Sequence, residues 1–267
     1  MKQLPVIFIL LIFNSISVLS QQNFAKPFKD RGVDGSITIF DYNAGKWISS
    51  DITDSHKPSL PASTFKILNT LISLETGVIS GENEIIKWPG TDDTTKYGFR
   101  PDIYHDMTLK EAFKVSAVWA YIELAKKIGK SNYNKYLSAC KYGNCDISVD
   151  GTDFWNFGAL AISPVNEIEI LIGVYNETLP FSKQNFEILK SMMIEEQTED
   201  YILRAKTGWT KFGGKDIGWW VGYVERKDNV YFFATRLTKD KETLKPAFGA
   251  YRREITRQIL KEMKILD

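Results

Sequence analysis

Ser63 and Lys66 stand three residues apart in Pro61-Ala62-Ser63-Thr64-Phe65-Lys66, and that spacing puts both side chains on one face of a helix. A serine hydroxyl is a poor nucleophile until a neighbouring base takes its proton, and a lysine amine within reach is such a base once it is neutral. Ser63 falls in the first turn of the predicted helix, where unpaired backbone N–H groups favour developing negative charge. Two further short patterns hold the same kinds of group. Ser116-Ala117-Val118 lies between two predicted helices, and Lys206-Thr207-Gly208 lies on or at the end of a predicted strand. Glycine in a strand lets a ligand or another backbone approach closely. Each pattern is commonplace alone, as a capping serine, a loop serine or a solvated strand lysine. Together they supply a nucleophile, a base, a second hydroxyl and a cation. A Ser-His-Asp hydrolase is disfavoured, because His56 and His105 are the only histidines. The two cysteines and two histidines show no ligand spacing, so no metal site is expected.

The elements that must bring these residues together follow from local pattern. Ser36–Asp41 and Lys46–Ser49 alternate around Asn43-Ala44-Gly45 and read as a hairpin. From Ala62 to about Glu75 apolar residues recur on most sides, which predicts a buried helix stopped by Gly77. Thr108-Leu109-Lys110-Glu111 is a capping box. A helix from about Trp119 to Ile128 ends at Gly129, and Ser163-Pro164 opens another over Val165–Tyr175. Ile202–Thr207, Lys215–Glu225 and Val230–Leu237 read as strands, followed by an amphipathic helix from about Tyr251 to Met263. Strands at both ends and helices between them predict a mixed α/β fold. It has one mostly antiparallel sheet flanked by helices and a helical subdomain inserted over roughly 62–200.

Composition bounds the rest. Basic residues number 34 and acidic ones 33, without a basic stripe, so neither nucleic acid nor an anionic membrane surface is indicated as a partner. Lys2, the apolar run Pro5–Phe13 and the small residue Ser20 form a signal peptide, with cleavage expected near Ser20. The mature chain, 21–267, is then a single catalytic domain in the periplasm or the medium. In such a compartment Cys140 and Cys145 could either bridge or stay as buried thiols.

The order Ser63-x-x-Lys66, Ser116-x-Val118, Lys206-Thr207-Gly208 resembles that of the penicillin-recognising serine enzymes. With Tyr142-Gly143-Asn144, Phe154-Trp155 and Gly218-Trp219-Trp220-Val221-Gly222, the chain resembles the class D, oxacillinase-like serine β-lactamases over nearly all of its mature length. The resemblance implies a penicillin-binding fold and hydrolysis of β-lactam antibiotics, hence antibiotic resistance. Ser63 would be the nucleophile, and the backbone N–H groups of Ser63 and Trp209 the oxyanion hole. Lys66 would be the general base as N6-carboxylysine, with Trp155 donating to the carbamate. CO2 or bicarbonate would be needed for that modification, and no other cofactor. Only a neutral amine reacts with CO2, and burial lowers a lysine from its usual pKa of about 10.4. Ser116 would relay a proton to the lactam nitrogen. Lys206, Thr207, Gly208 and Arg252 would meet the substrate carboxylate, and Val118 and Tyr121 would line the pocket. Arg253, beside Arg252, competes for that role. Asn156 departs from the family, which usually has Leu after the Trp. The alternatives are a β-lactam sensor domain, a cell-wall transpeptidase or carboxypeptidase, and a secreted binding module without catalysis. Substrate spectrum and the choice between monomer and homodimer are left open.

Overall fold

The structure is a computed structural model describing residues 20–21, 24–149 and 151–267, so the expected signal peptide falls almost wholly outside the described residues. The strands are β1 (Ser20–Gln21), β2 (Asp34–Asp41), β3 (Lys46–Ser49), β4 (Ile85–Ile86), β5 (Met107–Thr108), β6 (Ile194–Gln197), β7 (Tyr201–Phe212), β8 (Lys215–Arg226) and β9 (Val230–Asp240). Seven of them form one sheet in the order β1-β3-β2-β9-β8-β7-β6, and β4 pairs with β5 in a separate ribbon. All neighbours are antiparallel except the short β1 against β3. The hairpin read around Asn43-Ala44-Gly45 is present, and the chain's two ends meet where β2 pairs with β9.

The helices are α1 (Ala25–Asp30), α2 (Ile52–His56), α3 (Lys66–Glu75), α4 (Thr94–Tyr97), α5 (Leu109–Val115), α6 (Val118–Cys140), α7 (Phe154–Phe157), α8 (Pro164–Tyr175), α9 (Lys183–Met192) and α10 (Phe248–Glu262). Most of them come between β3 and β6 in the chain and cover one face of the sheet. α1 and α10 cover the other face. Alternation along β8 serves both layers. Trp219, Val221 and Tyr223 enter the helical core, and Trp220 and Val224 enter the core under α10 with Phe248, Ile255 and Ile259. A central strand buried on both faces is almost continuously apolar, as β8 is. Among the described residues no helix is long and apolar enough to cross a membrane.

Several elements differ from the sequence reading. The buried helix begins one turn late: Ala62–Phe65 is a 3-10 turn, Ala62 has φ 53, and α-helix starts only at Lys66. The helix from Val118 does break at Gly129 (φ 75, ψ 156), but a second helical stretch continues to Cys140. Its buried Tyr133, Tyr136, Leu137 and Cys140 keep helical spacing, a pattern diluted in sequence by the polar residues between them. Half of the capping box forms: Thr108 Oγ1 accepts from the Glu111 N–H at 3.1 Å, whereas the Glu111 carboxylate turns to His105. β7 runs to Phe212, five residues past the predicted end. Cys140 and Cys145 are free thiols, with the Cys145 Sγ directed at the carbonyls of Leu137 and Tyr142.

Candidate active site

The 3-10 turn carrying Ser63 is pressed against the outer edge of β7. β6 pairs with β7 only as far as Arg204, and beyond that point the turn takes its place beside the strand. Gly208 makes this approach possible, since a Cβ there would lie 2.8 Å from the Pro61 carbonyl oxygen. Ser116, at the end of α5, also has a positive φ of 59. Left-handed backbone at two non-glycine residues in one site is conformational energy held by the surrounding structure.

Ser63, Ser116, Val118, Asn156, Thr207, Gly208, Trp209 and Arg252 all line a cleft of about 430 Å3, within the range of small-molecule sites. Lys66 lies beneath its floor, 0 % exposed, and its Nζ donates to Ser63 Oγ at 2.7 Å. Burial alone pushes the Lys66 pKa down to about 7. Among the described residues it forms no salt bridge, and its Nζ stands 5.1 Å from the centre of the Tyr121 ring. Tyr121 is therefore a support for Lys66, not a cleft wall as expected: it is fully buried and its hydroxyl bonds Thr70 Oγ1 at 2.8 Å. Trp155 is buried against Phe65, ring centres 5.5 Å apart, and its indole N–H has no acceptor among the described residues. A buried donor without a partner is costly and calls for an explanation at this position.

Lys206 also departs from expectation. It is buried, and its Nζ donates to Ser116 Oγ at 3.0 Å, so it faces the second hydroxyl and not the open cleft. Burial holds its amine well below the usual lysine range, and nearby Lys66 and Arg252 add to this. The choice between adjacent arginines is clear in space. Arg252 reaches the cleft, with Nη1 donating to the Gly208 carbonyl and its guanidinium 5.9 Å from the centre of the Trp209 ring. Arg253 turns away to pair with Glu195 at 3.0 Å. Asn156 lies in the cleft wall, its backbone carbonyl accepting from Thr210 Oγ1 at 2.6 Å and its Nδ2 buried without an acceptor among the described residues.

Two groups of residues escaped the sequence reading. The far wall of the cleft is built by Asp92, Lys96, Tyr97 and Arg100 in and around α4, fastened through Lys96 and Tyr97 to Asp153 at 2.9 and 2.5 Å. This segment has neither periodicity nor motif, so nothing local marked it. Beneath the nucleophile turn, Thr64 Oγ1 lies 2.8 Å from the Pro61 oxygen and 2.5 Å from Oε1 of the buried Glu167. Burial pushes Glu167 up to about 7. In sequence it reads only as an acidic residue in the first turn of α8. Among the described residues no group of three His, Cys, Asp or Glu could hold a metal ion.

Residues 36–261 match the family model of the penicillin-binding protein transpeptidase domain. The chain is 36 % identical to β-lactamase OXA-10 of Pseudomonas aeruginosa over 86 % of either protein. It is 37 % identical to β-lactamase OXA-48 of Klebsiella pneumoniae over 90 % of this chain and 87 % of the other. Its fold is similar to the crystal structure of the class D β-lactamase from Sebaldella termitidis ATCC 33386. The TM-score there is 0.88 and the identity 39 %, covering 95 % of this chain and 100 % of that one. It is likewise similar to the class D β-lactamase YbXI from Nostoc, TM-score 0.84 at 39 % identity, covering 91 % and 99 %.

Proposed function

The chain belongs to the class D β-lactamases, and on that footing we propose that it hydrolyses β-lactam antibiotics through an ester formed on Ser63. One observation carries the residue assignment: a completely buried lysine, without a carboxylate partner among the described residues and with its pKa lowered to about 7, donates to the hydroxyl of Ser63, which lines the cleft from the 3-10 turn before α3.

Ser63 Oγ attacks the lactam carbonyl carbon while its proton passes to the base beneath it. The N–H groups of Ser63 and Trp209 are the donors for the oxygen that gains charge, one from the 3-10 turn and one from the strand edge beside it. Ser116, which accepts from Lys206, keeps its own hydroxyl hydrogen free to donate to the departing lactam nitrogen. Arg252, anchored on the Gly208 carbonyl, offers its remaining N–H groups to the substrate carboxylate, and Thr207 adds a hydroxyl. Lys206 acts one step behind, through Ser116.

The residues present fit a carboxylated Lys66. A buried amine with a pKa of about 7 is substantially neutral at neutral pH, and Trp155 holds an N–H with no acceptor among the described residues. A carbamate on Lys66 would supply a carboxylate-like base at the floor of the cleft. Trp155 is the donor that would hold it, and Asn156 Nδ2, from the same short helix, is a second uncommitted donor. A polar side chain there also bears on how water reaches the acyl ester during release. We further propose export through the leader at residues 1–20.

The test is hydrolysis of a chromogenic cephalosporin by the mature chain, with intact-protein mass spectrometry after brief exposure to penicillin. Ser63→Ala is expected to abolish turnover and the covalent adduct while keeping the fold, with some loss of Tm because the buried Lys66 amine loses its acceptor. An adduct of equal yield on Ser63→Ala would remove Ser63 from the mechanism.

A further inference from the structure

The aromatic wall of the cleft is held from behind by a charged pair that the reaction itself does not use. Trp209 is 42 % exposed and its indole faces the cleft. On β8 it lies opposite Gly218, and Asp216, two residues along, shares that face as its diagonal neighbour. Asp216 in turn lies directly opposite Lys239 of β9. The side chains join in this register. Trp209 Nε1 donates to Asp216 Oδ1 at 3.0 Å, and Lys239 Nζ donates to Asp216 Oδ2 at 2.5 Å. Both charged residues are buried and paired with one another, so removing either alone leaves its partner buried without a counter-ion.

The rest of the indole is enclosed by the start of α10. Phe248 meets it edge-on, ring centres 5.4 Å apart, and a Cβ on Gly249 would lie 3.0 Å from it. The absence of a side chain at Gly218 leaves room for Phe248, since a Cβ there would come within 3.1 Å of that ring. The face of the indole lies beside the Arg252 guanidinium. A ring fastened at its nitrogen therefore fixes the surface on which Arg252 rests.

We propose that Asp216, held by Lys239, is a positioning residue that fixes the Trp209 indole as the seat of Arg252 and so sets the cleft's affinity for the substrate carboxylate. The proposal rests on the role given above to Arg252. The link runs through the Trp209 side chain, whereas the oxyanion role of that residue rests on its backbone N–H, so the effect belongs mainly to substrate capture.

The test uses steady-state hydrolysis of a chromogenic cephalosporin by the mature chain. Trp209→Phe keeps a ring and the backbone N–H and removes only the indole donor. The paired variant Asp216→Ala with Lys239→Met removes the acceptor without leaving a buried charge. Each is expected to raise KM about tenfold, the scale of one hydrogen bond to a charged group, and the paired variant, which lies outside the cleft, to keep kcat within about twofold. The triple variant should be no worse in KM than either parent, because both break one link. Its loss of Tm, by contrast, should equal that of the paired variant, since stability reports the ion pair and not the link. Independent, multiplying KM effects would overturn the proposal. So would an unchanged KM in Trp209→Phe, a result that stands even if the paired variant does not fold. Arg252→Ala on the native background is the separate control: an unchanged KM there contradicts the carboxylate role of Arg252 itself.

Discussion

Glu167→Gln is expected to stabilise this protein strongly above neutral pH and not at all in acid. Glu167 is wholly buried beneath the nucleophile turn, with the Thr64 hydroxyl against one oxygen and no cation paired with it among the described residues. Its carboxyl titrates near 4.5 in a solvated chain and about 7 in the folded protein, because burial disfavours the anion. Below pH 4.5 both states hold the proton and the residue costs nothing. As pH rises through 4.5 the unfolded chain releases its proton while the folded one retains it, so stability falls until about pH 7. At pH 8 the full difference applies, roughly 3 kcal/mol at about 1.4 kcal/mol per tenfold in proton affinity. Glutamine keeps a carbonyl acceptor for the Thr64 hydroxyl in a side chain of nearly the same size. In a chain of this size the gain corresponds to a Tm higher by roughly 6–12 °C. Urea unfolding of native and variant protein at pH 4.5 and pH 8 measures it, and the comparison cancels the separate titration of Lys66. Equal stability of the two proteins at pH 8, or a gap of the same size at both pH values, would refute the assignment of a buried, proton-retaining carboxyl.

Arg252→Ala should raise KM about tenfold or more with a smaller effect on kcat, whereas Arg253→Ala, which loses only its pair with Glu195, should change neither by more than about twofold. Equal effects from the two, read by steady-state kinetics, would contradict the separation seen around α10. The thiols of Cys140 and Cys145 are expected to alkylate slowly in the native protein and completely after unfolding without reductant. Burial pushes the Cys140 thiol up to about 12 and raises that of Cys145. A mass two daltons lower than that of the reduced chain would show a bridge instead.

The parts of the site legible in sequence were those set by short-range geometry. Ser63 and Lys66 meet because they are three residues apart on a helical turn, and Gly208 was marked because a close backbone approach requires it. The hairpin at Asn43-Ala44-Gly45 and the Ser163-Pro164 helix start declared themselves by local turn and cap chemistry. What sequence did not reveal was depth. Lys206 sits in a strand whose alternation says nothing about how the helical layer closes over it, so its contact with Ser116 and its distance from solvent emerged only from the fold. Tyr121 lies on the same helix as the cleft residue Val118 but three residues on, where the surface has become core. The link from Trp209 through Asp216 to Lys239 spans three strands, and only the register of the sheet brings those residues together. The 3-10 turn at Ala62–Phe65 escaped because its cause is tertiary: β7 fixes where the turn must lie.

The carboxylated lysine is the central claim, and the lifetime of the acyl adduct on Ser63 tests it most directly. On the proposed mechanism the Lys66 amine, lowered to about 7 by burial, becomes increasingly neutral and able to react with CO2 as pH rises through neutrality, and Trp155 would hold the product. The measurement is intact-protein mass spectrometry over time after a penicillin pulse, on native protein and Trp155→Ala, with and without added bicarbonate, at pH 7.5 and pH 5.5. Native protein at pH 7.5 should shed its adduct rapidly. At pH 5.5, or with Trp155→Ala at either pH, the adduct should persist, and bicarbonate should shorten its life again in the variant at pH 7.5. An adduct on the native chain that lasts for hours at pH 7.5, whether or not bicarbonate is present, would contradict a deacylating enzyme and point to a β-lactam sensor.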